Sequence, residues 1–185
     1  MWNIPNLLTS FRIVLIPVFL VVFYLPIEHA SFLAALIFVI AAITDALDGW
    51  VARKLDQFTK FGEFLDPVAD KIMVAAALIV VVESFGSLWI TVPALVIISR
   101  ELIVSALREW MAELGKRGNV AVSSMGKLKT IAQMVALTGL LWAGDLTGHL
   151  VIVVVSTMAL YIAAILTFWS MYVYLLNAWQ DLTKE

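Results

Sequence analysis

The chain has 185 residues, 63% of them apolar, with a mean hydropathy of +1.00. That lies far above the roughly 45–50% apolar content of a soluble domain, so the composition excludes a soluble globular protein and points to a membrane one. With no cysteine, a disulfide framework and a thiolate metal or redox site are excluded, and any metal must be held by oxygen or by His29 and His149. The net charge of −2 carries little information by itself, so the distribution of charges must supply the rest.

Segments depleted in charge run over 7–26, 30–45, 68–83, 86–107, 128–144 and 148–177. Most approach the roughly 20 residues that a helix needs to span hydrocarbon. The expected fold is all-α: an integral membrane protein with six transmembrane helices in one domain over 1–185. The opening MWNIPNLLTSFR has neither a basic start nor a small-residue cleavage site, and it reads as an interfacial lead-in to the first helix. Asn6, Thr9 and Arg12 lie one helical turn apart there and form a polar stripe, unless Asn6 or Thr9 caps the helix. Pro17 and Pro93 fall inside spans, where they kink helices whose freed carbonyls neighbours satisfy. The second segment ends in Asp45 and Asp48, and the third opens with Asp66 and Asp70. In the fourth, Arg100 and Arg108 are eight residues apart and share a face. Arg100 lies well inside that span, where an unpaired arginine is expensive. Pairing with Glu101 is disfavoured, because adjacent helical residues point in different directions. Lys127 and Lys129 open the fifth segment. The sixth reads as one tilted helix whose outer face is a candidate dimer surface. Trp2, Trp89, Trp110, Trp142 and Trp179 fit aromatic belts.

Lysine and arginine orient these helices. The connections PIEHAS (26–31), ESFGS (83–87) and GDLTGH (144–149) hold none of the 12 basic residues, whereas VARKLDQFTK (51–60), ELGKRG (113–118) and MGKLK (125–129) hold most of them. By the positive-inside rule, the basic connections and both termini face the cytoplasm. The four aspartates then sit at the cytoplasmic surface, and His29 and His149 sit on the opposite side.

Asp45 and Asp48 are three apart, and Asp66 and Asp70 are four apart, so each pair shares one face of its helix. The short connection makes the second and third helices antiparallel neighbours, so that all four carboxylates can converge. Converging carboxylates repel strongly unless they share protons or hold divalent cations. An all-oxygen set favours Mg²⁺, Mn²⁺ or Ca²⁺ over zinc. Gly49, Ala52 and Gly62 keep side chains out of the way of a neighbouring helix or a ligand. Taken singly, each aspartate is equally a helix cap or a solvated interfacial charge, and Asp66 before Pro67 reads as a helix start.

Asp45, Asp48, Gly49, Ala52, Arg53, Gly62, Asp66 and Asp70 together reproduce D-x2-D-G-x2-A-R-x8-G-x3-D-x3-D. This pattern resembles the signature of the CDP-alcohol phosphotransferase family. NIPNLLTSFR, FLDPVADK, SRELIVSALREWMAELGKR and MGKLKT extend the likeness over nearly the whole chain, toward the bacterial members that make phosphatidylglycerophosphate. The resemblance implies a six-helix enzyme of the bacterial cytoplasmic membrane, commonly a homodimer, with no nucleic-acid partner. It would transfer the phosphatidyl group of CDP-diacylglycerol to sn-glycerol 3-phosphate and release CMP. It also implies two divalent cations, Mg²⁺ or Mn²⁺, held by Asp45, Asp48 and Asp66 with Asp70 near a metal, and Asp70 as the general base. CDP-diacylglycerol would lie against Asn6, Thr9, Arg12, Asp48, Gly49, Ala52, Arg53, Thr59 and Gly62. Arg53 suits a pyrophosphate because a guanidinium can bind two oxygens at once, although it also fits a positive-inside anchor.

Arg100, Arg108, Lys127 and Lys129 would form an anion pocket for the acceptor's phosphate, and the two lysines serve equally as positive-inside flanks. Three other readings compete: a related synthase with another acceptor, such as serine or an inositol phosphate; a small ion-coupled transporter; and a non-catalytic membrane assembly subunit. Transporter sites usually lie near the midplane on broken helices within repeats, whereas these carboxylates lie at one surface and no repeat is visible. An assembly subunit has no need of four converging carboxylates.

Overall fold

A computed structural model describes residues 4–55, 60–113, 125–145 and 149–182. Six helices follow in order: α1 (Ile4–Tyr24), α2 (Ala30–Leu55), α3 (Lys60–Phe85), α4 (Leu88–Glu113), α5 (Met125–Ala143) and α6 (Leu150–Leu182). All six expected helices are present, and the chain is all-helical across the described residues. Four of them, α1, α2, α4 and α6, are long and apolar enough to cross a membrane, which makes this a multi-pass membrane protein. By the same measure α3 and α5 fall short: Asp66, Asp70, Lys71 and Glu83 interrupt α3, and the apolar part of α5 is only Leu128–Ala143.

The helices extend beyond the apolar runs. α2 continues past Asp45 and Asp48 to Leu55, and α3 begins at Lys60, so Asp66 and Pro67 lie inside it rather than at its start. Loss of charge marks hydrocarbon, not helix. Ala52, Arg53, Lys54 and Leu55 are good helix formers and carry α2 past its apolar run. Asn6 and Thr9 are likewise buried within α1, which rules out the capping reading for Thr9 and sets Asn6 inside the described helix.

Around the bundle the helices pack in the order α1, α2, α5, α6, α4, α3 and back to α1, with α3 also touching α5 across the middle. Among the described residues, α2 and α3 are therefore not close neighbours. They barely touch, and α1 lies against both, which corrects the pairing inferred from their short connection. Phe19, Phe38, Leu78, Ile97, Leu137, Leu140 and Leu160 are fully buried, one or two from each helix, and form the central core. A smaller cluster of Val104, Leu107, Met111 and Tyr174 joins α4 to α6 toward their C-terminal ends. The outer surface is as apolar as the core. Val14, Ile43, Ile79, Leu102, Ile131 and Ile165 are all exposed, one on each helix, which suits a lipid solvent.

Two glycines set close approaches. Gly144 ends α5 with φ at 74°, donates its N–H to the Leu140 carbonyl at 3.1 Å, and leaves room only for Ser31 of α2. Gly139 lets α5 meet α6, because a Cβ there would stand 1.9 Å from Ser156 Oγ. Gly139→Ala is expected to lose about 1–3 kcal/mol by overpacking, read as a lower thermal midpoint in detergent. Adding Ser156→Ala removes the nearest clashing atom and recovers part of the loss; an unchanged loss in the double variant rejects this account of the α5–α6 contact.

Candidate active site

Polar groups gather at one level of the bundle, beginning with Arg12. Although 1% exposed, its side chain carries a full charge into the packing of three helices. Its Nη1 lies 2.6 Å from Asp45 Oδ1 on α2 and 3.2 Å from Asp66 Oδ1 on α3. Each aspartate is about two-fifths exposed, so the guanidinium is sealed in while the carboxylates open outward. Asp70, one turn beyond Asp66, lines a narrow cavity with Arg12, Asp45, Phe38, Met73 and Met134. It lies within electrostatic reach of Asp45, Asp66, Arg12 and Glu101. The sequence suggests convergence of α2 and α3 directly, but it is Arg12 on the intervening α1 that ties Asp45 to Asp66.

Asp48, Gly49, Ala52 and Arg53 are placed by the backbone of α2 alone, at positions that share the helical face of Asp45 or adjoin it. Their side-chain positions lie outside the described residues, as does that of Lys127. Thr59 lies outside them altogether. Gly62 belongs to the first turn of α3. Among the described residues no three histidine or acidic side chains come together as a ready metal cage. The donor chemistry does fit a hard cation, because two carboxylate oxygens from different helices already flank one positively charged nitrogen. His29 and His149 lie in the connections at the other end of the bundle.

The second part of the level is cationic. Arg100 Nη1 donates to Glu101 Oε1 at 2.8 Å, and Lys129 Nζ of α5 donates to the same oxygen at 2.7 Å. The pairing with Glu101 that the helical geometry disfavours is thus formed. The two side chains are long enough to bend together, and Lys129 fixes the carboxylate from across the bundle. Arg100 Nη2 donates to Ser170 Oγ at 3.4 Å. Arg108 donates to Tyr174 Oη at 3.1 Å, and both arginines stack over the Tyr174 ring, with centroid distances of 5.9 Å for Arg100 and 5.4 Å for Arg108. Nearby, Lys71 of α3 donates a short hydrogen bond to Ser105 of α4.

Arg100, Arg108 and Lys129 therefore belong to one network with Glu101, Ser170 and Tyr174. The latter three are site residues that the sequence alone does not mark. An acid in the middle of an apolar span was a usable signal for Glu101, whereas nothing in the sequence singles out Ser170 or Tyr174.

Comparison with known proteins agrees with the motif. The profile of the CDP-alcohol phosphatidyltransferase family matches residues 2–169. A protein of Yersinia pestis (strain Pestoides F) named CDP-diacylglycerol–glycerol-3-phosphate 3-phosphatidyltransferase is 58% identical over 182 residues, 98% of each chain. Proteins of the same name from Sodalis glossinidius and Pectobacterium atrosepticum are also 58% identical, each over 99% of this chain and 98% of their own. With a profile matched over most of its length and relatives this similar from end to end, the chain belongs to the CDP-alcohol phosphatidyltransferase family.

Proposed function

We propose that this protein transfers the phosphatidyl group of CDP-diacylglycerol to sn-glycerol 3-phosphate, giving phosphatidylglycerophosphate and CMP. The observation that carries the reading is the whole-chain likeness to relatives named for that reaction, joined to a complete aspartate signature on α2 and α3. The whole chain, 1–185, serves as one catalytic domain. All six helices cross the bacterial cytoplasmic membrane, α3 and α5 included, because each presents exposed apolar side chains such as Ile72, Ile79, Ile131 and Val135 outward like its neighbours. The basic connections support a cytoplasmic position for both termini and the polar level, and the outer face of α6 is the candidate surface of a homodimer.

In this mechanism the acceptor hydroxyl attacks the phosphatidyl phosphorus, a P–O bond forms, and the bond to the bridging oxygen of the pyrophosphate breaks as CMP leaves. Asp70, at the wall of the narrow cavity beside Asp45 and Arg12, receives the hydroxyl proton on a carboxylate oxygen. Two divalent cations, Mg²⁺ or Mn²⁺, bound by Asp45, Asp48, Asp66 and Asp70, would neutralise the pyrophosphate and polarise the phosphorus under attack. Gly49, Ala52 and Gly62 leave room for the nucleotide, Arg53 and Thr59 contact it, and Asn6, Thr9 and Arg12 line its α1 side. Arg100, Arg108, Lys127 and Lys129 hold the acceptor's phosphate.

The deciding experiment supplies the purified protein with CDP-diacylglycerol, Mg²⁺ or Mn²⁺ and a panel of alcohols, and scores CMP and lipid product. Glycerol 3-phosphate is the expected acceptor. Faster turnover with serine or an inositol phosphate assigns the chain to a different synthase, and no CMP with any alcohol rejects the enzymatic reading. Excess EDTA is expected to abolish turnover and added Mg²⁺ or Mn²⁺ to restore it; full activity in chelator rejects metal dependence. Asp70→Asn is expected to keep donor affinity and to lose about 10²- to 10⁴-fold in transfer rate, the usual worth of a general base. Near-normal turnover in that variant moves the base elsewhere. Arg108→Ala removes a charge-assisted contact worth about 1.5–3 kcal/mol, so kcat/KM for glycerol 3-phosphate falls roughly 10- to 150-fold with little change in KM for the donor. A loss confined to the donor would place the phosphate pocket elsewhere.

A further inference from the structure

Glu101 stands out because it puts a negative charge at the centre of a cluster otherwise fit to bind an anion. Arg100 and Lys129 come from different helices, and a single carboxylate oxygen accepts from both. Lys129 is 6% exposed, so the pair is held where water offers little alternative. The buried Nε of Arg100 has no hydrogen-bond partner among the described residues, so one donor of the guanidinium remains available to a further acceptor.

Charge counting gives Glu101 a purpose. Arg100, Arg108 and Lys129 contribute three positive charges to the described cluster and Glu101 one negative charge. A phosphomonoester carries about −1.5 to −2 near pH 7. Three cations without a counter-charge repel one another at low dielectric, and their side chains would spread. With Glu101 between two of them, the empty pocket keeps its shape.

We propose that Glu101 is a positioning residue for the acceptor: its carboxylate holds Arg100 and Lys129 at the separation that receives a phosphomonoester dianion, and it offsets their mutual repulsion while the pocket is empty. This rests on the acceptor pocket described under the proposed function. Glu101 touches no reacting atom, and its influence passes through the two cations that it joins.

The test uses the full-length enzyme in mixed micelles, with KM measured separately for sn-glycerol 3-phosphate and for CDP-diacylglycerol in Glu101→Gln, Lys129→Met and the double variant. Glu101→Gln should raise the acceptor KM about tenfold or more and leave the donor KM within about twofold, the loss expected for one charge-assisted contact. Lys129→Met should act in the same direction. The double variant should be no worse than the more severe single variant, because both changes break one interaction. Glu101→Asp, which retains the charge on a shorter arm, should fall between the parent and Glu101→Gln. It also decides the matter if Glu101→Gln does not fold: a rise in acceptor KM alone supports the proposal, whereas no rise, or a rise in both constants, overturns it. If Lys129→Met raises the acceptor KM and Glu101→Gln does not, the pocket stands and the role of Glu101 is wrong. If neither Lys129→Met nor Arg108→Ala affects the acceptor, the pocket itself is misplaced and the inference falls with it. Additive losses in the double variant, or equal effects on both substrates, assign Glu101 to general packing and overturn the proposal.

Discussion

The buried guanidinium of Arg12, shared between Asp45 and Asp66, is the contact on which the arrangement of the polar level depends. α2 and α3 carry the acidic signature yet hardly meet, and α1 packs against both. A charge sealed inside a helix bundle has to be paired, and removing one partner of such a pair typically costs about 3–5 kcal/mol. The outward opening of the two aspartates softens that figure here. The pairing also has a direct bearing on the proposed chemistry. One guanidinium faces Asp45, Asp66 and Asp70, so the cluster remains acidic, and any cation drawn to it shares oxygens with Arg12.

Beside this acidic node lies one of the opposite sign, in which Glu101 is surrounded by Arg100 and Lys129, with Arg108 held on Tyr174. The two nodes communicate, since Asp70 is within electrostatic reach of both Glu101 and Lys129. Each is a charge of one sign held among charges of the other, and each draws its members from separate helices. The ring order of the bundle brings this about. α3 lies between α1 and α4 and also touches α5, so the helix bearing Asp66 and Asp70 adjoins both halves of the polar level. An acidic half suited to cations on a pyrophosphate and a basic half suited to a phosphate thus lie side by side.

Much of this was legible in the sequence because membrane helices announce themselves by length and apolarity. The six helices, the basic and non-basic connections and the spacing of Asp45, Asp48, Asp66 and Asp70 needed no tertiary information. Neighbours along the chain are not always neighbours in space. A short connection suggested that α2 packs on α3, but α1 takes that place because its stripe of Asn6, Thr9 and Arg12 is buried. Asp66 before Pro67 looked like a helix start, yet α3 already runs from Lys60. Cβ directions alone disfavour a pairing of Arg100 with Glu101, but the reach of the long side chains brings them together. The partnership of Arg12 with two aspartates, and of Tyr174 with two arginines, depends on which helices meet, and no spacing within one helix encodes that.

α6 spans Leu150–Leu182, 33 residues, or about 50 Å at 1.5 Å per residue. Hydrocarbon is about 30 Å thick, and to hide the whole helix in it would require a tilt of about 53°, beyond the roughly 40° that such helices reach. The end carrying Asn177, Gln180 and Asp181 is the more polar one and is the end expected to emerge, with Tyr174 one turn before it. For the proposed transfer, between an amphiphile and a small dissolved ion, that depth matters more than any single contact. In that reading the lipid need not leave its leaflet and the ion need not enter it, so the proposed reaction would run at a phase boundary with neither partner paying to cross.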